Sequence, residues 1–150
     1  MDFQELGLNA ELVHAVSDLG FLTPMPIQTK AIPVLLNGRQ DFVGLAQTGT
    51  GKTGAFGLPL LQRMDRSVPK PQAVILCPTR ELCIQITEDL KQFSRHLHGI
   101  HTVAVYGGAS IVDQMRRIKR GAQVIVATRD GCSICSNGEP SIWRRCPWRF

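Results

Sequence analysis

Apolar residues follow two kinds of pattern, which alternate from about residue 40 onward. "DFVGLA" (41 to 46), "AVILCP" (73 to 78), "TVAVYG" (102 to 107) and "QVIVAT" (123 to 128) are short aliphatic or β-branched runs without strict polar alternation. Such runs are expected of strands covered on both faces of a parallel sheet. Between them the spacing becomes helical. Over residues 80 to 97, Leu82, Ile86, Leu90, Phe93 and Leu97 recur every three or four residues, which predicts one amphipathic helix. A second is predicted from Ser110 to Arg120, with Ile111, Met115 and Ile118 facing one way and Gly121 able to stop it. Near the N-terminus, "AELVHAVSDL" (10 to 19) places Leu12, Val13, Val16 and Leu19 on one helical face.

Strands and helices in this alternation build a parallel sheet through crossover units, so the fold class is α/β, with about four strands and flanking helices. There is no internal repeat. "RSVPKPQ" (66 to 72) reads as a proline-bearing surface loop. A chain of 150 residues suits one hydrophobic core. Hydrophobic content of 43% against 19% charged residues excludes a disordered chain, and no run approaches the roughly 18 apolar residues of a membrane span. The N-terminal segment carries Asp2, Glu5, Glu11 and Asp18 and no basic stretch leading into an apolar run. On this pattern neither a signal nor a transit peptide is expected, and the cytoplasmic compartment is the expected one. Five cysteines in such a compartment are not a disulfide framework.

The formal charge of +5 changes the picture little. The residues after Thr128 supply +2 of it through Arg129, Arg144, Arg145 and Arg149 against Asp130 and Glu139. In the body Arg116, Arg117, Lys119 and Arg120 cluster, which reads first as a solvated helix face and only weakly as a polyanion contact.

The chemistry lies in "AQTGTGKTGAF" (46 to 56), after the first predicted strand and at the opening of a helix. A phosphate-binding loop belongs at that junction. Gly49 and Gly51 allow successive backbone N–H groups to turn inward, and the helix N-terminus adds unsatisfied donors and its positive dipole end. Lys52 can reach the β- and γ-phosphates, and Thr53 can place its hydroxyl on Mg2+. The pattern departs from G-x-x-x-x-G-K-[ST] only at Ala46. Upstream, "GFLTPMPIQ" (20 to 28) ends in Gln28, whose amide offers the donor and acceptor that an adenine edge requires, and Phe21 can stack on the ring. Taken alone, Gln28 would read as a surface helix residue.

Together these stretches resemble the DEAD-box family of ATP-dependent RNA helicases. "GFLTPMPIQ" is similar to the family's adenine-reading Q motif, with Phe3 at the place of its upstream aromatic. "AQTGTGKT" is similar to its first helicase motif, where alanine at the position of Ala46 is usual. "PTREL" (78 to 82) is similar to its motif Ia, and Gly107 and Gly108 to its glycine pair. Met25 departs from the threonine common there. The resemblance covers residues 1 to 128 in order and spacing, and implies a RecA-like P-loop core using ATP and Mg2+. It implies that Phe21 and Gln28 hold adenine and that Ala46, Gln47, Thr48, Gly49, Thr50, Gly51, Lys52 and Thr53 hold the phosphates. Lys52 would also stabilise the reacting phosphate, and Thr53 would meet the metal. It further implies that Pro78, Thr79, Arg80, Gly107 and Gly108 contact RNA through its sugar-phosphate backbone, independently of sequence. The expected division is a helical Q-motif region (1–38), a partial RecA-like domain (39–128) and an aberrant or unstructured tail (129–150).

The family's D-E-A-D acids, its S-A-T motif and its second RecA-like domain have no counterpart in these residues. ATP binding with little hydrolysis is therefore the expectation. After "VIVAT" the family continues P-G-R, whereas Arg129 and Asp130 follow here. With G/C-rich codons and one restored base, the neighbouring frame reads T-P-G-R followed by an amphipathic helix, which points to a frameshift. Three readings compete for the tail: half a zinc site from Cys132, Cys135 and Cys146, a nucleic-acid platform from Trp143, Trp148 and the arginines, and a plain unstructured end. The zinc set falls short of four ligands. An incomplete core predicts poor solubility or partial melting. Other functional classes are a non-enzymatic ATP- or RNA-binding fragment and, with more coincidences required, a small P-loop kinase.

Overall fold

The structure, a computed structural model, describes residues 2–38, 41–132 and 148–149. Cys135, Trp143 and Cys146 lie outside the described residues. The chain forms two compact units, Met1–Arg63 with Gln92–His98, and Met64–Lys91 with Gly99–Phe150.

In the first unit α1 (Ala10–Asp18), α2 (Pro26–Asn37) and α3 (Lys52–Gln62) each have a local reason to start or stop. Asn9 caps α1, its side-chain oxygen accepting from the Leu12 N–H at 3.0 Å. At the other end Gly20 takes φ +81°, and Gly20 and Phe21 donate to the Ser17 and Val16 carbonyls. This is a Schellman stop, which needs the left-handed glycine. Pro26 opens α2, where a missing N–H costs nothing. Arg63 closes it, its guanidinium donating to the carbonyls of Leu35 (2.7 Å) and Gly38 (2.9 Å). Leu12, Val16, Ile32, Leu58 and Leu61 form the buried interior, and the upstream aromatic Phe3 is buried too. Val13 and Leu19 of the predicted α1 face are only half-buried.

The second unit is a parallel sheet in the order β2-β3-β1-β4, with β1 (Ala73–Cys77), β2 (Thr102–Val105), β3 (Val124–Thr128) and β4 (Trp148–Arg149). β1 and β3 run in register from Ala73 opposite Val124 to Cys77 opposite Thr128. β3 lies between β1 and β2 and all five of its residues are buried, as its unbroken apolar run requires. On one face α5 (Ile111–Lys119) packs Ile118 against Val103, Val105, Ile125 and Ala127, with Met115 and Cys132 at the margin. α4 (Arg80–Phe93) also lies on the sheet, with the Cys83 thiol 3.2 Å from the Val126 carbonyl.

Four sequence expectations need correction. Residues 41–46 are not a strand, and Val43 and Leu45 are 87% and 92% exposed. A buried strand exists only where neighbours pair with it, and among the described residues the fourth strand is β4 instead. α4 ends at Phe93, so Leu97 is buried from beyond the helix; Leu82 is exposed, and Cys83 and Thr87 share the buried stripe with Ile86 and Leu90. In α5, Ile111 is exposed and Gln114 takes a buried place. The first residues after Thr128 (129–132) are helical, and Trp148 and Arg149 pair with Ala73 and Val74.

Candidate functional site

In the first unit the loop before α3 has the backbone that its glycines foreshadow. Gly49 and Gly51 take φ +79° and +77°, a region costly for residues with a Cβ. Gly51 is the N-cap of α3, whose first capping-turn bond runs from the Ala55 N–H to the Gly51 carbonyl. The N–H groups of Lys52, Thr53 and Gly54 therefore precede the helix's own hydrogen bonding and form a positive end suited to an anion. Gln47, Thr48 and Gly49 are exposed, and Thr50 turns back to donate its hydroxyl to the Gln47 carbonyl at 2.7 Å. Lys52 is exposed and donates from Nζ to the Ala46 carbonyl at 2.9 Å, spanning the loop. A phosphate group would compete for that ammonium and offer it full charge instead of a dipole. Thr53, half-buried, is the second residue of α3.

Gln28 is buried rather than a surface residue. Its Nε2 donates to the Gly51 carbonyl at 3.0 Å and its Oε1 accepts from the Met25 N–H at 2.8 Å. The second bond is half of a capping box at the start of α2; Met25 has no side-chain oxygen to supply the other half. Room for the amide comes from two glycines. A Cβ on Gly51 would lie 2.5 Å from Nε2 and one on Gly54 2.7 Å from it. A primary amide has two donors and two lone pairs, so one N–H and one lone pair of Gln28 are still uncommitted to these two bonds. Phe21 follows the Gly20 stop and is 52% exposed.

In the second unit Pro78 and Thr79 form the turn from β1 into α4. Thr79 caps α4, its hydroxyl accepting from the Leu82 N–H at 3.2 Å and its carbonyl from the Cys83 N–H at 3.0 Å. The hydroxyl hydrogen remains available to an incoming acceptor. Arg80 opens the helix with its Cζ 4.7 Å from the centre of the Tyr106 ring. Gly107 and Gly108 follow Tyr106, and Gly108 has φ +80° with open space where a Cβ would be. The β1–α4 turn and the glycine pair thus meet through the Arg80–Tyr106 stack.

Residues 25–141 match the DEAD/DEAH box helicase family. The chain belongs to this family. It is 49% identical over 126 residues to the ATP-dependent RNA helicase DeaD of Escherichia coli strain K12, covering 84% of this chain and 20% of that protein. It therefore spans about one fifth of the curated relatives it matches. Among solved structures, a DEAD box protein from the hyperthermophile Methanococcus jannaschii superposes with TM-score 0.90 at 31% identity, covering 97% of this chain and 39% of that one. Saccharomyces cerevisiae Dbp5 bound to RNA and ADP BeF3 gives TM-score 0.79 at 32% identity, covering 91% and 34%. The sheet with its flanking helices is accordingly RecA-like.

Three site residues of this DEAD-box chain escaped sequence reasoning. Gly54 passes for an ordinary helix residue until Gln28 is placed against it. Tyr106 and Gln114 carry no motif signal, although a lone tyrosine next to a glycine pair was available as a cue. No group of three His, Cys, Asp or Glu side chains among the described residues is placed to hold a metal ion. No described helix is long and apolar enough to cross a membrane.

Proposed function

We propose that this chain is the ATP- and RNA-binding N-terminal part of a DEAD-box RNA helicase, an enzyme that couples RNA-dependent ATP hydrolysis to duplex unwinding. The observation that carries the nucleotide half is the buried Gln28 amide, tied to Gly51 of the phosphate loop with one N–H and one lone pair left over. Adenine offers a matching acceptor and donor, and guanine reverses one of them. Phe21 stacks on the base, and the Ala46–Thr53 stretch takes the phosphates, with Lys52 exchanging the Ala46 carbonyl for a phosphate oxygen. Thr53 is the protein oxygen for Mg2+, which arrives with the nucleotide; this ion neutralises phosphate charge when bound.

Pro78, Thr79, Arg80, Gly107 and Gly108 form the RNA face. A capped helix start, a guanidinium and an open glycine suit a phosphate backbone and carry no sequence information. Similarity to the ATP-dependent RNA helicase DeaD supports this reading. Hydrolysis by the described residues alone is slight, because the family's D-E-A-D acids have no counterpart among them.

Competition against a fluorescent ATP analogue tests the proposal. ATP should displace the analogue far better than GTP, and Lys52→Ala should weaken binding tenfold or more, given roughly 1.5–3 kcal/mol for a hydrogen bond to a charged group. Equal displacement by GTP together with indifference to Lys52→Ala would sink the reading. A non-enzymatic fragment that occupies RNA or ATP without turnover is the second reading, favoured by the missing counterpart of the family's D-E-A-D acids among the described residues and separated by a turnover assay with single-stranded RNA.

A further inference from the structure

Arg80 is held from two directions. Its backbone opens α4, and its guanidinium lies over Tyr106 at 4.7 Å. Tyr106 is in turn fixed through its main chain by one side chain of α5. The Tyr106 N–H donates to Gln114 Oε1 at 3.0 Å, and Gln114 Nε2 donates to the Tyr106 carbonyl at 3.1 Å. Gln114 is buried, so this pairing is shielded from competition by water. A further element closes on the same backbone. A Cβ on Gly131 would sit 2.3 Å from the Val105 carbonyl oxygen and 2.8 Å from Tyr106 Cα, so only glycine lets the helical 129–132 segment approach so closely.

We infer that Tyr106 is a positioning residue for RNA binding, holding the Arg80 guanidinium over its ring so that the cation is already in place for the RNA phosphate, with Gln114 locking Tyr106. The inference rests on the RNA face proposed above and extends it to residues that no motif marks. Physically, a guanidinium is attracted to an aromatic ring and carries five N–H donors, so it can hold the ring and still donate to a phosphate. A guanidinium already held in place loses less freedom when phosphate arrives. Tyr106 itself acts through Arg80.

The test uses the whole chain, a fluorescent twelve-nucleotide oligouridylate and anisotropy over a range of salt concentrations. Arg80→Ala should weaken binding and reduce the salt slope by about one. Tyr106→Leu, which retains bulk but not the ring, should weaken binding about two- to fivefold in the presence of Arg80, the range for an exposed cation–π contact. It should cost nothing further in the Arg80→Ala background, and Tyr106→Phe should restore binding. Because the chain has one tyrosine, 3-fluorotyrosine gives a single 19F resonance that should move in Arg80→Ala without any RNA present.

Additive losses for Arg80→Ala and Tyr106→Leu, or failure of Tyr106→Phe to rescue, overturn the positioning role while leaving the RNA face standing. An unmoved 19F line overturns the stack itself. Absent RNA binding, or an Arg80→Ala without effect, overturns the RNA face, and the role of Tyr106 falls with it even if the 19F line moves.

Discussion

Gln28 and Gly51 share a 3.0 Å hydrogen bond that joins the start of α2 to the N-cap of α3. The residue expected to read the base thus also steadies the phosphate loop. Removing it with Gln28→Ala leaves the Met25 N–H and the Gly51 carbonyl with one partner fewer each, at a stability cost of about 1–3 kcal/mol. The same change should narrow the gap between ATP and GTP in competition. A thermal melt and paired nucleotide titrations check both effects; an unchanged ATP/GTP ratio with a lowered melt would assign Gln28 to structure alone.

Met25 stands where a hydroxyl would complete the capping box begun by Gln28. Met25→Thr should add a bond to the Gln28 N–H region of α2 and stabilise the chain by about 1 kcal/mol. Met25→Val, with similar bulk and no oxygen, should not. Comparing the two in denaturant unfolding separates capping from a simple change of exposed apolar surface.

Cys77 and Cys83 face the interior behind the β1–α4 turn. Burial, followed by contact with Cys83, pushes the Cys77 thiol up to about 12, and burial raises Cys83 too. A folded-state value above the ordinary 9.0 means that stability is fully present below pH 9 and is lost as pH rises from 9 toward 12. Native Cys77 should also react with iodoacetamide at pH 8 roughly two to three orders of magnitude more slowly than in urea, following its thiolate fraction. Mass spectrometry of timed quenches reads this directly. Equal native and denatured rates would show that the turn opens readily.

Val43 and Leu45 are exposed in a stretch whose composition asks for burial. Lysine at both positions should suppress self-association, seen as a lower weight-average mass in sedimentation, with a change in melting free energy within about 0.5 kcal/mol, as for other surface sites. A large loss of stability would instead mean that the segment packs in solution.

Much of the fold was legible because burial imposes its period on the sequence. β1, β2 and β3 fall within the runs marked by their aliphatic residues. Residues 41–46 show the limit, since a strand's composition does not provide the neighbour it must pair with. The phosphate loop was legible for the opposite reason: Gly49 and Gly51 are chosen by backbone conformation, which sequence records. The grip of Gln28 on Gly51 and that of Gln114 on Tyr106 were not. An amide's partners depend on which elements meet, and glutamine's helical periodicity says nothing of them.

The cap on α4 narrows what evolution could place at residue 79. Serine, threonine, aspartate and asparagine all serve as helix caps, but the RNA backbone proposed above to meet this turn would divide them. Aspartate would meet the phosphate with like charge, whereas a hydroxyl can accept from the Leu82 N–H and still offer its own hydrogen outward. Folding alone would tolerate four residue types there; the proposed RNA contact disfavours the acid and leaves the hydroxyl and amide caps, of which the chain carries threonine.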